Sequence, residues 1–290
     1  MERELTLIWS RPDRLRHIFE RWGPIFMLTK AERVQKALKR YRLLLARRQR
    51  AARASFIFGV QRSGTDMVAS VFDRSAECEC YYESDPEAFD HFVLRGQDVV
   101  THLVRKSRAE VVLFKSILNS QNARALLDSY EGSKAIWLFR PYPDVVNSNL
   151  KRFKSHFKDL DEMLNAPDMA GWRVENVPGD DIELIRKYHG RAVSDASARA
   201  LLWYLRNRLL FHQQLDVDSR VLIANYDNIV TNPKESFARI FSFFDLQFRP
   251  QYVSGVQATS VRRDPAPDID PEITELCENM FSRLRAIATF

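Results

Sequence analysis

The stretch FIFGVQRSGTDMVASVFDRS, Phe56 to Ser75, joins an apolar run to two glycines five positions apart and then to a helix-like segment. A strand, a glycine-bearing turn and a helix N-terminus in that order aim backbone N–H groups and the helix dipole at one spot, where an anion is stabilised. Gly59 and Gly64 have the GxxxxG spacing of a phosphate loop. An ATP or GTP loop continues with Lys and then Ser or Thr; this chain continues with Thr65 and Asp66. The lysine that bridges two phosphates and the hydroxyl that holds magnesium are missing from their slots. A cation, Arg62, stands before the second glycine instead, which argues against a kinase.

Outward from the loop the chain alternates. Ser55 to Val60, Glu110 to Phe114, Lys134 to Phe139 and Val221 to Ala224 read as apolar strands. Gly64 to Arg74, Pro86 to Lys106, Ala123 to Tyr130, Pro143 to Phe157 and the run NPKESFARIFSFF read as helices. Strands alternating with helices give an α/β fold, a parallel sheet flanked by helices on both faces. Residues 158–190, polar and rich in Pro and Gly, read as an insertion, because strand and helix material resumes after them. The expected division is a helical extension over 1–53 and one domain over 54–290.

At 290 residues and 45% hydrophobic, the chain has an ample core. Cys78, Cys80 and Cys277 make an odd number without zinc spacing, so buried thiols are expected rather than disulfides or a metal site. No apolar run reaches about 18 residues and no leader with a cleavage site is legible. A soluble, reducing, cytoplasmic location is expected. The formal charge is +6, yet Lys30 to Arg53 holds ten Lys/Arg against Glu32 alone, net +9, which leaves −3 for the rest. Val34, Leu38, Tyr41 and Leu45 draw one apolar stripe along that segment. A basic helix docked by its stripe with a solvated cationic face is the favoured reading. Contact with an anionic membrane surface is the sharper alternative, and nucleic acid is not expected.

The hexapeptide Arg62-Ser63-Gly64-Thr65-Asp66-Met67 resembles the 5′-phosphosulfate loop of the sulfotransferase family. A second stretch, WLFRPYPDVVNSNLKRF, resembles that family's 3′-phosphate motif: a strand, then Arg140, then Ser148 eight residues on. LFKS, with Lys115 and Ser116, is similar to the strand-end lysine of the carbohydrate and tyrosylprotein branches. In VLIANYDNIVTNPKESFARIFSFFDL, Tyr226 matches the tyrosine that reaches the adenine, with Asp227 where Glu is usual. SVRRD offers Ser260, Arg262 and Arg263 as the basic segment that closes over the nucleotide. The resemblance spans roughly 54–265 and implies a P-loop-like sulfotransferase architecture, with 3′-phosphoadenosine 5′-phosphosulfate as co-substrate and no metal. It implies that residues 62–67, Arg140, Ser148, Tyr226, Ser260, Arg262 and Arg263 bind the nucleotide. Physical chemistry agrees: a guanidinium at a strand end is a planar fork for phosphate.

Sulfuryl transfer is an in-line displacement that builds charge on the transferred group and on the leaving oxygen, so cations and N–H donors must surround the donor. Arg62, the loop amides and Lys115 fit that task. A base must also take the acceptor's proton. Glu83, twenty-one residues after Arg62 in CYYESDPEAF, stands where the sugar- and tyrosyl-directed branches carry a glutamate base. His91 and then His102, on the expected helix 86–106, rank below it, while Asp85 before Pro86 reads as a helix cap. The acceptor is expected to carry a hydroxyl, on a saccharide, a lipid-linked glycan or a small molecule, with Trp172 and Tyr188 as stacking or packing aromatics. One departure stands out. Many members have a second Thr where this chain has Asp66, so either that carboxylate turns away from the anion or donor binding is weakened. A catalytically degenerate nucleotide-binding member, and an anionic-surface module built on the basic segment, are the alternatives.

Overall fold

Phe56, Ile57 and Phe58 are all fully buried, although adjacent strand residues point to opposite faces. That requires a strand covered on both sides, and the apolar run without alternation is the sequence signature of a parallel sheet between helical layers. The computed structural model describes residues 51–152, 157–166, 171–191, 193–259, 261 and 264–290. In chain order the elements are β1 (Arg53–Gly59), α1 (Thr65–Phe72), β2 (Cys78–Tyr81), β3 (Phe89–Asp90), β4 (Val93–Leu94), α2 (Gln97–Lys106) and β5 (Val111–Lys115). A 3-10 turn (Ile117–Asn122), α3 (Ala123–Ser129), β6 (Lys134–Phe139), α4 (Tyr142–Arg152), α5 (Phe157–Asn165), α6 (Gly179–His189) and α7 (Asp195–His212) follow. The chain closes with β7 (Val221–Asn225), α8 (Tyr226–Thr231), α9 (Pro233–Phe243) and α10 (Pro271–Ile287).

The main sheet has the order β2-β5-β1-β6-β7, every neighbour parallel. Phe56, Phe58, Phe114, Trp137 and Phe139 enter one core with α7 and α10, while Ile57, Leu113, Ile136 and Leu138 enter a second core with α1 and α9. The expected α/β class with helices on both faces is therefore found. The connection leaving β1 runs toward the β2 edge and the one leaving its neighbour β6 runs the other way, to β7, so the strand order switches direction between β1 and β6. A crevice opens at the carboxyl ends of strands at such a point.

Several expected boundaries are corrected. Residues 86–96 do not extend α2: they form a turn and the β3–β4 hairpin, whose apex residues His91 and Phe92 both have positive φ, 49° and 69°. Phe89 and Leu94 are buried there, and the Leu94 N–H donates to Asn119 at 2.9 Å, so tertiary contact overrides the helical pattern. Asp85 accordingly caps a turn, accepting from the Glu87 N–H at 3.2 Å. Of the helix expected over 143–157, α4 covers the described part to Arg152, residues 153–156 lie outside the described residues, and Phe157 opens α5. The insertion carries α5 and α6, which pack on each other; α5 also packs on α7, while Asp180 and Asp181 of α6 pair with Arg208 of α7. The basic helix expected over 30–53 falls outside the described residues except at its end, where Arg53 opens β1 and its guanidinium reaches Asp245 at 3.1 Å. The three cysteines are free and buried. Among the described residues no helix is long and apolar enough to cross a membrane.

Gly59 ends β1 with φ 130°, and a Cβ built there would lie 2.2 Å from the Leu138 carbonyl oxygen of β6. Replacement by alanine must strain the backbone and also push the central strands β1 and β6 apart. Gly59→Ala is expected to lower stability by at least about 1–3 kcal/mol, read as a fall in urea midpoint at unchanged slope; an unchanged midpoint contradicts the packing.

Candidate functional site

Five strand ends converge on the crevice: the loop after β1, Glu83 after β2, Lys115 at the end of β5, Arg140 after β6 and Tyr226 after β7. The loop's shape depends on Gly64, whose φ of 87° is left-handed and whose missing Cβ would meet the Tyr226 ring at 2.2 Å. Arg62 also has positive φ, 70°, a conformation that costs a non-glycine residue free energy and is common at ligand sites. No side chain caps the first turn of α1, so its N–H groups face the crevice end of the loop without a local acceptor. The Ser63 N–H instead donates to the Val60 carbonyl at 3.3 Å, and the Ser63 and Thr65 side chains are buried beneath the loop.

Residues expected from separate motifs meet here. Arg62 Nε donates to Ser148 Oγ at 2.9 Å. The Arg140 guanidinium lies 4.8 Å from the centre of the Tyr226 ring and pairs with Asp144 at 3.2 Å. Its carbonyl accepts from the Trp203 indole at 3.0 Å, which ties the end of β6 to α7. Burial holds the Arg62 guanidinium below the ordinary arginine value; Asp66 opposes that, while the like charges of Arg152 and Arg140 add to the lowering. Cations crowded into one crevice favour a bound anion.

Lys115 is 7% exposed, and its ammonium sits between two carboxylates, Glu83 at 2.7 Å and Asp66 at 3.0 Å. Burial alone would lower its pKa, but Glu83 and then Asp66 outweigh burial and raise it above the usual lysine value. Lys115 is therefore a fixed cation at neutral pH. Glu83 also accepts the N–H groups of Ile117 (3.1 Å) and Leu118 (3.3 Å), the open end of the 3-10 turn. Asp66 does not turn away: its side chain is 73% exposed, yet it reaches Lys115 across the loop.

Other expected residues fall elsewhere. His91 sits at the hairpin apex, paired with Asp90 at 2.8 Å, and His102 is exposed on α2. Tyr188 is buried in the core with its hydroxyl on Glu272, so it packs rather than presenting a face. Ser260, Arg262, Arg263 and the Trp172 side chain lie outside the described residues. Tyr226 is in the crevice but only 7% exposed. Arg206 of α7 carries no motif that singles it out in the sequence: it donates to the Ile117 carbonyl at 2.6 Å and to Gln121 at 3.0 Å, and burial pushes it down to about 10 against the upward pull of Glu83. Asp180, Asp181 and His212 form a group with metal-ligand spacing, but Arg208 already occupies both aspartates.

No protein-family model matches the chain, and no curated protein does. Among the solved structures to which it is similar are several sulfotransferases. One from Alicyclobacillus acidocaldarius is 15% identical, with 80% of this chain and 92% of that one covered at a TM-score of 0.46. A sulfotransferase from Mycobacterium avium is 11% identical over 96% and 91%, TM-score 0.46. A mouse sulfotransferase complexed with PAP is 12% identical over 88% and 94%, TM-score 0.40.

Removing the Glu83 carboxylate takes away three donors' acceptor at once and leaves Lys115 with Asp66. Glu83→Ala is expected to cost about 2–3 kcal/mol of stability, with Glu83→Gln costing less, both read by urea denaturation. Equal, negligible losses contradict the contacts described.

Proposed function

We propose that the protein is a sulfotransferase that moves the sulfuryl group of 3′-phosphoadenosine 5′-phosphosulfate to an acceptor hydroxyl. The observation that carries this reading is the hydrogen bond between Arg62 and Ser148 in a crevice shared with Arg140. Those three residues come from two separate motifs and fit a ligand with phosphates at both ends of a nucleoside. Arg62 and the open first turn of α1 serve the 5′ side, Ser148 and Arg140 the 3′ side, and Tyr226 the base. Serving the nucleotide in this way requires Arg140 to share its guanidinium between Asp144 and the phosphate.

Lys115 and Glu83 divide the chemistry. An incoming sulfuryl group draws the Lys115 ammonium toward its oxygens, and that releases the Glu83 oxygen now bonded to it. The acceptor oxygen forms its bond to sulfur as the bond from sulfur to the phosphate oxygen breaks; the hydroxyl proton passes to Glu83, and Lys115 and Arg62 stabilise the charge on the leaving oxygen. Asp66 competes with the donor for Lys115, so it weakens donor binding in this chain. The same contact favours a second reading, a member that holds the nucleotide without transferring from it.

Calorimetric titration with adenosine 3′,5′-bisphosphate tests the nucleotide site that both readings share, with AMP and Mg-ATP as controls. Micromolar binding without magnesium, much tighter than AMP, is expected; no binding, or preference for Mg-ATP, removes the donor site. Arg62→Ala is expected to weaken the bisphosphate about 10- to 100-fold, and Asp66→Asn to tighten it several-fold. Glu83→Gln is expected to keep nucleotide affinity while turnover falls by about 10²–10⁴. Nucleotide binding with no turnover for any acceptor supports the second reading.

A further inference from the structure

The two oxygens of Glu83 have different partners. Oε1 accepts the N–H groups of Ile117 at 3.1 Å and Leu118 at 3.3 Å, and Oε2 accepts the Lys115 ammonium at 2.7 Å. A carboxylate oxygen has two lone pairs, so Oε1 is filled while Oε2 keeps one for a further donor. The peptide unit that joins Ile117 to Leu118 is held at both ends. Every described peptide bond is trans, so its C=O and N–H point in opposite directions. The N–H donates to Glu83 on one side, and on the other the C=O accepts Arg206 Nη2 of α7 at 2.6 Å. The second arm of that guanidinium reaches Gln121 Oε1 at 3.0 Å, farther along the same 3-10 turn. Burial disfavours the Arg206 charge and Glu83 favours it, so cation and carboxylate act on each other across one peptide.

We propose that Arg206 is a positioning residue for the transfer reaction: acting through the Ile117–Leu118 peptide, it pins Oε1 of Glu83 as the anchor and leaves Oε2 as the atom that takes the acceptor's proton. The inference rests on the sulfotransferase reading above. A guanidinium on the carbonyl oxygen polarises the peptide and strengthens its N–H as a donor, because hydrogen bonds in a chain reinforce one another. The anchor matters most when Lys115 turns to the sulfuryl oxygens. Glu83 then loses its partner on Oε2, and a carboxylate held only on that side would swing after the ammonium. Bonds on Oε1 keep Oε2 over the hydroxyl instead, where a displacement of about 1 Å is worth about 10² in rate. A mere tether needs the guanidinium fork on both Ile117 and Gln121; the relay needs only a cation on the Ile117 carbonyl.

Two substitutions in the full chain separate relay from tether. Arg206→Met removes the cation, and Arg206→Lys keeps one for the Ile117 carbonyl without the fork that spans to Gln121. In protein labelled with ¹⁵N-leucine and ¹⁵N-isoleucine, the Leu118 amide proton of Arg206→Met is expected to move upfield and to exchange with solvent at least about tenfold faster. Arg206→Lys is expected to restore both, with Ile57 of β1 protected in all three proteins as the sign of an intact sheet. An unmoved Leu118 signal in Arg206→Met, or a change that Arg206→Lys does not reverse, overturns the proposal. Where Arg206→Met fails to fold, a Leu118 signal lost in Arg206→Lys overturns it and a kept one supports it. With the donor and 4-nitrophenol, methyl glucoside or decanol as acceptor, kcat is expected to fall at least about tenfold in Arg206→Met while KM for the donor holds within about threefold. A raised donor KM at unchanged kcat overturns the positioning role, and the Leu118 signal decides where none of the three acceptors turns over. Calorimetry with adenosine 3′,5′-bisphosphate on the same samples keeps the two readings apart: nucleotide binding with Leu118 unmoved refutes the relay alone, and a Leu118 response without nucleotide binding refutes the donor site alone.

Discussion

A buried ammonium organises this molecule. Lys115 ends the strand next to β1, almost out of water, and a charge in that position is tolerated only when it is paired and hydrogen-bonded. Its two carboxylates come from different elements, Asp66 from the first turn of α1 and Glu83 from the turn after β2. Satisfying one charge therefore fixes the loop helix, the β2 turn and, through Glu83 and the N–H groups of Ile117 and Leu118, the 3-10 turn that follows β5. The same Ile117 is gripped from the other side by Arg206 of α7. The crevice is thus positioned by one chain of charged hydrogen bonds.

Much of this is legible in the sequence because it depends on local chemistry. The central strands β1 and β6 are apolar without alternation, and that pattern has few explanations other than a sheet covered on both faces. The motif residues Arg62, Gly64, Lys115, Arg140 and Tyr226 each follow or end a strand, so placing the strands places them at one sheet edge. Arg62 and Ser148, 86 positions apart, meet for the same reason.

What stays hidden depends on long-range contact. Helix α7 interleaves Arg199, Arg206 and Arg208 with its leucines; its arginines are accommodated by acids and carbonyls from other elements, which no local pattern reveals. The hairpin at 89–94 reads as helix in the sequence because its register is set by Asn119 and by burial of Phe89 and Leu94, contacts that lie outside the segment. Arg140 likewise carries its own acid, Asp144, one helical turn on. That pairing keeps the cation in place at the strand end. Asp66 stands in the same relation to Lys115 at the other end of the crevice, so both cations carry an acid from within the chain.

The most direct test of the cradle follows the Arg62 guanidinium itself. In protein labelled with ¹⁵N-arginine, the Arg62 Nε–H signal, assigned by its loss in Arg62→Lys, should shift saturably with adenosine 3′,5′-bisphosphate, and hardly at all with AMP at the same concentration. An unmoved Arg62 signal at saturating bisphosphate, or an equal shift with AMP, would contradict the account.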